Sequence, residues 1–353
     1  MRSWLVVLWV LLFFSGVGCG GFAARRIAQA PNTYPKWLAP EAPVTIGFSA
    51  SLLTLLTNGT VEIDSPRAKL FYRVLAPGDY GFRWTNVLDE ARGELTLRFS
   101  AEAAGASRNV SAAGDARMEG RGTIFVVHGY GVDGAAMLPW AFVLAEQGWR
   151  VVLVDLRGHG NSTGERVYFG AQEVIDLRAV LDRLEREGEV VHVVGHSFGA
   201  VLALKWKLED ARVGRVVAMA PYADLGEAIQ NIRRQYARWI PTWFIAAGVQ
   251  RLPELLQVEE CEMDPGCWVD GRLEDVLFVA GGADRIATLN QVRELVEGSG
   301  GDNRILIQAK AAHETVPFYL GELSGEVIEW LAGELREAKR ENNPDFTPKY
   351  SAD

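Results

Sequence analysis

Val190-Val191-His192-Val193-Val194-Gly195-His196-Ser197-Phe198-Gly199-Ala200-Val201-Leu202-Ala203-Leu204-Lys205 changes character at its centre. The β-branched residues before Gly195 read as a buried strand, and the alanines and leucines after Gly199 read as a helix. Between them lies a sharp turn carrying one serine. Glycines two positions to either side remove the Cβ clashes of such a turn, so the Ser197 hydroxyl stands exposed at a helix N-terminus. The backbone N–H of Phe198, at the helix start, is then free to stabilise a developing oxyanion.

A serine hydroxyl is a weak nucleophile at neutral pH and requires a base, which in turn requires a group to orient it and stabilise its cation. Five histidines allow the base to be sought by elimination. His192 lies inside the strand, His196 lies in the turn and points away from the hydroxyl, and His128 and His159 sit in glycine-rich loops. His313 remains, in Ala309-Lys310-Ala311-Ala312-His313, just beyond the last strand run Asn303-Arg304-Ile305-Leu306-Ile307-Gln308. For the carboxylate, Asp284 follows the apolar run Val276-Leu277-Phe278-Val279-Ala280, at the strand end where parallel sheets present functional loops. Asp224, after Ala220-Pro221-Tyr222-Ala223, is the alternative acid. Asp155 closes another strand and reads as a structural residue tying down the loop that follows.

Outward from this centre the chain alternates strands and helices. Thr123-Ile124-Phe125-Val126-Val127 and Arg150-Val151-Val152-Leu153-Val154 are strand runs flanking a helix over residues 135–147. Val174, Leu177, Val180, Leu181 and Leu184 form the apolar stripe of a helix over residues 171–187. Such alternation predicts a mostly parallel central sheet with helices on both faces. Residues 44–113 alternate in short runs and are expected to supply antiparallel leading strands of that sheet. About fifty residues, approximately 222–272, exceed what the sheet requires and are expected to form a helical cap inserted late in the sheet. Ile229, Ile232, Tyr236 and Ile240 fall on one helical face, with Trp239, Trp243 and Phe244 beside Pro241. That face either shields the sheet or forms a lid over a site for a hydrophobic acyl group.

The combination Gly195-His196-Ser197-Phe198-Gly199, His128-Gly129-Tyr130-Gly131 and Asp155-Leu156-Arg157-Gly158-His159-Gly160-Asn161-Ser162 resembles the α/β-hydrolases, near the monoacylglycerol lipase and related esterase groups. The chain order Ser197, Asp284, His313 is also the order of that fold. The matched segments run from Ile124 to His313, about half the chain. The resemblance implies an α/β-hydrolase domain over residues 44–335 and Tyr130 N–H as a second oxyanion donor beside that of Phe198. It implies acyl transfer to Ser197 and hydrolysis of carboxylic esters, lipid or monoacylglycerol-like, without metal or organic cofactor. A peptidase or thioesterase on the same residues, and a catalytically silent envelope-anchored binding protein, are the competing readings.

The 353 residues carry a net charge of −9 and 48% hydrophobic residues, which gives a substantial core and argues against a nucleic-acid partner. The apolar run Trp4-Leu5-Val6-Val7-Leu8-Trp9-Val10-Leu11-Leu12-Phe13-Phe14, followed by Ser15-Gly16-Val17-Gly18-Cys19, reads as a signal or anchor over residues 1–19. Its end resembles the lipobox of bacterial lipoproteins, with Cys19 as the acylated residue, although Gly16 stands where that family has Leu. An uncleaved anchor and ordinary secretion are the alternatives. The expected location is the bacterial cell envelope, as a membrane-anchored lipoprotein facing the periplasm or exterior. Residues 20–43 are expected to be a tether, extended by its prolines from Ala30 to Pro43, and residues 336–353 a polar tail. Cys261 and Cys267 flank a Pro265-Gly266 turn and are either one disulfide or two free thiols.

Overall fold

The computed structural model describes residues 18–34, 44–48, 50–89, 94–101, 121–184 and 189–333. Residues 1–17, 35–43 and 336–353, for which a leader, part of a tether and a tail are expected, lie outside them. The strands are β1 (Val44–Gly47), β2 (Thr57–Ile63), β3 (Ala68–Leu75), β4 (Arg83–Asp89), β5 (Glu94–Ser100), β6 (Thr123–Val127), β7 (Arg150–Asp155), β8 (Val191–His196), β9 (Val213–Met219), β10 (Val276–Gly281) and β11 (Arg304–Gln308). Eight of them form one sheet in the order β11-β10-β9-β8-β6-β7-β3-β2. The pairs from β11 through β7 are parallel, and β3 joins β7 antiparallel. Every residue of β6 and β10 is buried, the signature of strands covered on both faces.

The leading strands depart from expectation. Only β2 and β3 extend the main sheet, whereas β1, β4 and β5 form a separate three-stranded sheet. The β2–β3 hairpin already occupies the edge beside β7, so the later strands pair with each other. Helix α2 (Leu138–Glu146) holds the small sheet in place. Phe82 stacks on Phe142 at 5.4 Å and meets Phe99 at 5.8 Å, and Glu146 accepts the Phe82 N–H at 2.7 Å.

Residues 20–34 are not an extended tether. Cys19–Ile27 is a helix, α1, with Ala23 and Ala24 buried. Its small residues permit close backbone approach to the cap: a Cβ on Gly248 would lie 2.7 Å from Ala23 Cβ, and one on Gly20 would lie 2.7 Å from the Ala247 carbonyl. Beyond α1, Ala30 is fully buried, donates its N–H to Glu165 O at 3.0 Å, and packs over the Gly158 turn. The proline content of this region suggested extension, but its alanines and glycines determine the packing.

Helices α3 (Glu173–Leu184) and α4 (Phe198–Glu209) cover the sheet, and the cap follows β9 as α5 (Leu225–Tyr236), α6 (Thr242–Val249), α7 (Leu252–Leu256), α8 (Glu260–Met263) and α9 (Pro265–Trp268). The buried face of α5 carries Leu225, Ala228 and Asn231, not the stripe expected from periodicity. Ile232 and Tyr236 are 38% exposed, Trp243 is 60% exposed and Trp239 is 83% exposed. Asn231 donates to Ile286 O at 3.0 Å from the buried face, and the stripe divides, with Ile229 packed against the core and Ile232 and Tyr236 outward. Cys261 and Cys267 are paired, with Cα atoms 5.4 Å apart, across α8 and α9. After β10 come α10 (Leu289–Gly298) and, beyond β11, α11 (Leu320–Ala332).

Candidate active site

The sheet order places the first parallel strand of the main sheet, β6, between β7 and β8, so the loops leaving β6 and β8 diverge and open a crevice at their carboxyl ends. Ser197 stands in that crevice with φ 55° and ψ −118°. The left-handed φ of a non-glycine residue is strained and persists only where its surroundings enforce it. Here a Cβ on Gly195 would lie 2.2 Å from Gly199 O, and one on Gly199 would lie 2.3 Å from Val127 O. The turn is therefore packed backbone to backbone, and Ser197 N–H, donating to Met219 O at 2.7 Å, ties it to β9.

Two more strand ends bring their loops to the serine. The loops after β10 and β11 touch closely, since a Cβ on Gly281 would lie 2.4 Å from Ala311 O. Ala283 N–H donates to that same carbonyl at 3.0 Å. Ser197 Oγ–H donates to His313 Nε2 at 2.7 Å, and His313 Nδ1–H donates to Asp284 Oδ2 at 2.8 Å. Asp284 Oδ1 accepts N–H bonds from Ile286 at 2.8 Å and Ala287 at 2.9 Å, which fixes the carboxylate's orientation. His313 and Asp284 are buried, at 7% and 6% exposure, so their interaction is little screened. Asp224 has another place: it caps α5, accepting the Glu227 N–H at 2.6 Å.

The His128-Gly129-Tyr130-Gly131 loop runs directly beside the serine, where a Cβ on Gly129 would lie 3.3 Å from Ser197 Cβ. Among the described residues the N–H groups of Tyr130 and Phe198 have no hydrogen-bond partner. His128 holds this loop to its neighbour, donating from Nδ1 to Gly129 O at 2.8 Å and accepting the Leu156 N–H on Nε2 at 2.9 Å. Asp155 ties down the loop after β7: it accepts from Arg73 at 3.0 Å, from Gly134 N–H at 2.9 Å and from Asn161 N–H at 2.9 Å. Arg157 then forms a buried bidentate pair with Asp176 at 2.8 and 2.7 Å.

His196 has a place that its position in the turn did not disclose. Its Nε2–H donates to the backbone carbonyl of His313 at 2.9 Å, so the turn that carries the serine also holds the loop that carries His313. Burial, with the neighbouring His313 adding to it, pushes its imidazole down to about 3, which keeps it neutral. Cys19 opens α1 and is half-buried with a free thiol.

A family model described as serine aminopeptidase, S33, matches residues 118–264, which contain Ser197 and most of the cap but neither Asp284 nor His313. The uncharacterized protein YqkD of Bacillus subtilis (strain 168) is 25% identical over 198 residues, spanning 54% of this chain and 64% of that protein, less than two thirds of its length. Among solved structures, the Pyrococcus furiosus esterase Pf2001 superposes with a TM-score of 0.55 at 19% identity, covering 82% of this chain and 95% of that one. A hydrolase from Pseudomonas aeruginosa superposes with a TM-score of 0.51 at 17% identity, covering 78% and 98%. The fold of this chain is the α/β-hydrolase fold, with a mainly parallel eight-stranded sheet.

Proposed function

We propose that the protein is a serine hydrolase of carboxylic esters working through an acyl-enzyme. The observation that carries this reading is the unbroken relay from Ser197 Oγ to His313 at 2.7 Å and from His313 to Asp284 at 2.8 Å. Ser197 Oγ attacks the ester carbonyl carbon while His313 Nε2 takes the hydroxyl proton, and Asp284 stabilises the imidazolium through Nδ1–H. The carbonyl π electrons move onto oxygen, where the N–H groups of Tyr130 and Phe198 receive the oxyanion. Collapse expels the alkoxide, which takes the proton from His313. Water, deprotonated by the same nitrogen, then releases the acid and restores Ser197.

A peptidase reading is favoured by the description of the matching family model. Both readings use the same atoms, so leaving group decides between them. The test is a panel of p-nitrophenyl esters of increasing acyl length beside aminoacyl-p-nitroanilides. Ester turnover abolished in Ser197→Ala supports the proposal, whereas anilide turnover without ester turnover replaces it with the peptidase.

The envelope location belongs to the same proposal. The apolar run before Gly18 supports it, as does the placing of Cys19 at the first position of α1, where processing before Cys19 leaves the helix whole. Among the described residues no helix is long and apolar enough to cross a membrane. Radiolabelled palmitate incorporation into the wild type but not into Cys19→Ala would support acylation, and its absence from both would favour an uncleaved anchor or secretion.

A further inference from the structure

The outward face of the cap departs from the rest of the molecule in two ways. It exposes Trp239 (83%), Trp243 (60%), Ile232 and Tyr236 (each 38%), while most large apolar side chains among the described residues are buried. It is also rich in cations within a chain of net charge −9: from Ala228 to Pro253 the sequence holds Arg233, Arg234, Arg238 and Arg251 and no carboxylate, and of these Arg251 pairs with the flanking Glu254 at 2.6 Å, which leaves Arg233, Arg234 and Arg238 as the excess over Glu227 on the other flank. Helix α1, packed on α6, adds exposed Arg25 and Arg26 to the same surface, again without a carboxylate. The aromatic side chains are continuous across the two helices, since Phe22 meets Phe244 at 6.3 Å and Phe244 meets Trp243 at 5.9 Å.

We infer that this face is the surface on which the enzyme rests against an anionic lipid bilayer, with Trp239 and Trp243 among the headgroups. Three features select a bilayer as the occupant. Exposed tryptophans beside arginines match an interface that is apolar on one side and negatively charged on the other. The sequence leading into α1 is the apolar run from Trp4 to Phe14, and α1 itself packs on α6, so whatever holds the N-terminus in a membrane brings this face to it. Finally, the face adjoins the mouth of the site: Tyr236 hydrogen-bonds Glu314, the residue next to His313. A lipid ester leaving the bilayer here would reach Ser197 without crossing water. The inference rests on the ester-hydrolase and envelope readings above, and it specifies how substrate is presented.

The experiment uses the full chain in nanodiscs of phosphatidylcholine with and without phosphatidylglycerol. Amide hydrogen exchange over residues 228–251 is followed beside hydrolysis of a soluble p-nitrophenyl ester and of a monoacylglycerol within the disc. The expected result is slower exchange in the anionic discs, lost in Trp239→Ser/Trp243→Ser and in Arg25→Glu/Arg26→Glu/Arg238→Glu. Both variants keep the soluble-ester rate and lose about tenfold on the embedded ester, the equivalent of roughly 1.4 kcal/mol of surface affinity. Exchange that is identical in both discs, or embedded-ester rates unchanged in the variants, overturns the docking inference. Failure of the wild type to cleave either ester overturns the hydrolase reading instead, and the exchange measurement still decides the docking. Concentration-dependent protection without lipid would assign the face to a second copy of the chain and refute the inference.

Discussion

Gly199→Ala tests the physical basis of the serine turn. Ordinary contact begins at 3.4 Å, and the added methyl would lie 2.3 Å from Val127 O and 2.5 Å from His128 O, a shortfall of about 1.1 Å (3.4 against 2.3 Å). Both obstacles are backbone carbonyls of β6 and the loop after it, so no side chain can swing aside. The start of α4 must retreat from β6 by about an ångström, carrying the Phe198 N–H and the Ser197 hydroxyl with it. Overpacking of this kind costs about 1–3 kcal/mol of stability, and an ångström of misplacement at a reacting centre costs about a hundredfold in rate. Calorimetry and p-nitrophenyl butyrate kinetics would therefore show a Tm lower by several degrees and kcat reduced about a hundredfold, with a smaller change in KM. Gly325→Ala is the matched control: its Cβ meets nothing within 4 Å in the middle of α11, and it gains about 1 kcal/mol from helix propensity. Wild-type kcat and Tm in Gly199→Ala would refute the claim that backbone contact fixes the nucleophile.

Further outcomes follow from the same geometry. Burial holds the imidazole of His192 down at about 4 while the unfolded chain takes the proton near 6.5, so this group's stability is present above pH 6.5 and is lost as pH falls toward 4. Urea unfolding at pH 7.5 and 5.0 should show the wild type losing about 2 kcal/mol more than His192→Gln over that interval. Arg157→Met takes both guanidinium bonds from Asp176, which is 2% exposed and keeps the Gln172 amide as a partner, and should cost about 3–5 kcal/mol, much of it recovered in Arg157→Met/Asp176→Leu, as thermal unfolding would show. Cys261→Ser opens a short closed loop and should lower stability by about 2 kcal/mol, a difference that vanishes when the wild type is measured in reductant.

What the sequence disclosed was local or fixed by chain direction. Gly195 and Gly199 are legible because a turn packed at 2.2–2.3 Å admits no other residue. That Asp284 and His313 meet Ser197 was legible because parallel strands end on one side of the sheet, and each residue follows such a strand. The remainder depends on which partner a surface finds. Periodicity gave α5 an apolar stripe, yet only Ile229 of it packs on the core, while Asn231 bonds Ile286 O and Ile232 and Tyr236 face outward. The alternating runs in residues 83–100 read as strands, but nothing local distinguishes an extension of the main sheet from a separate one. Gly20 and Ala23 read as linker because their worth lies in the approach of Ala247 and Gly248, far away in the chain. His196 reads as a turn residue pointing away from the hydroxyl, and its bond to the His313 carbonyl is visible only once β8 and the loop after β11 are adjacent.

The central claim is that Ser197 is an activated nucleophile, and covalent labelling tests it most directly. Full-length protein is treated with a fluorophosphonate probe, beside Ser197→Ala and His313→Ala, and the adduct is located by peptide mass. The account predicts one adduct, on Ser197, absent from both variants. A folded wild type that takes up no probe, or takes it up equally after loss of His313, would contradict it.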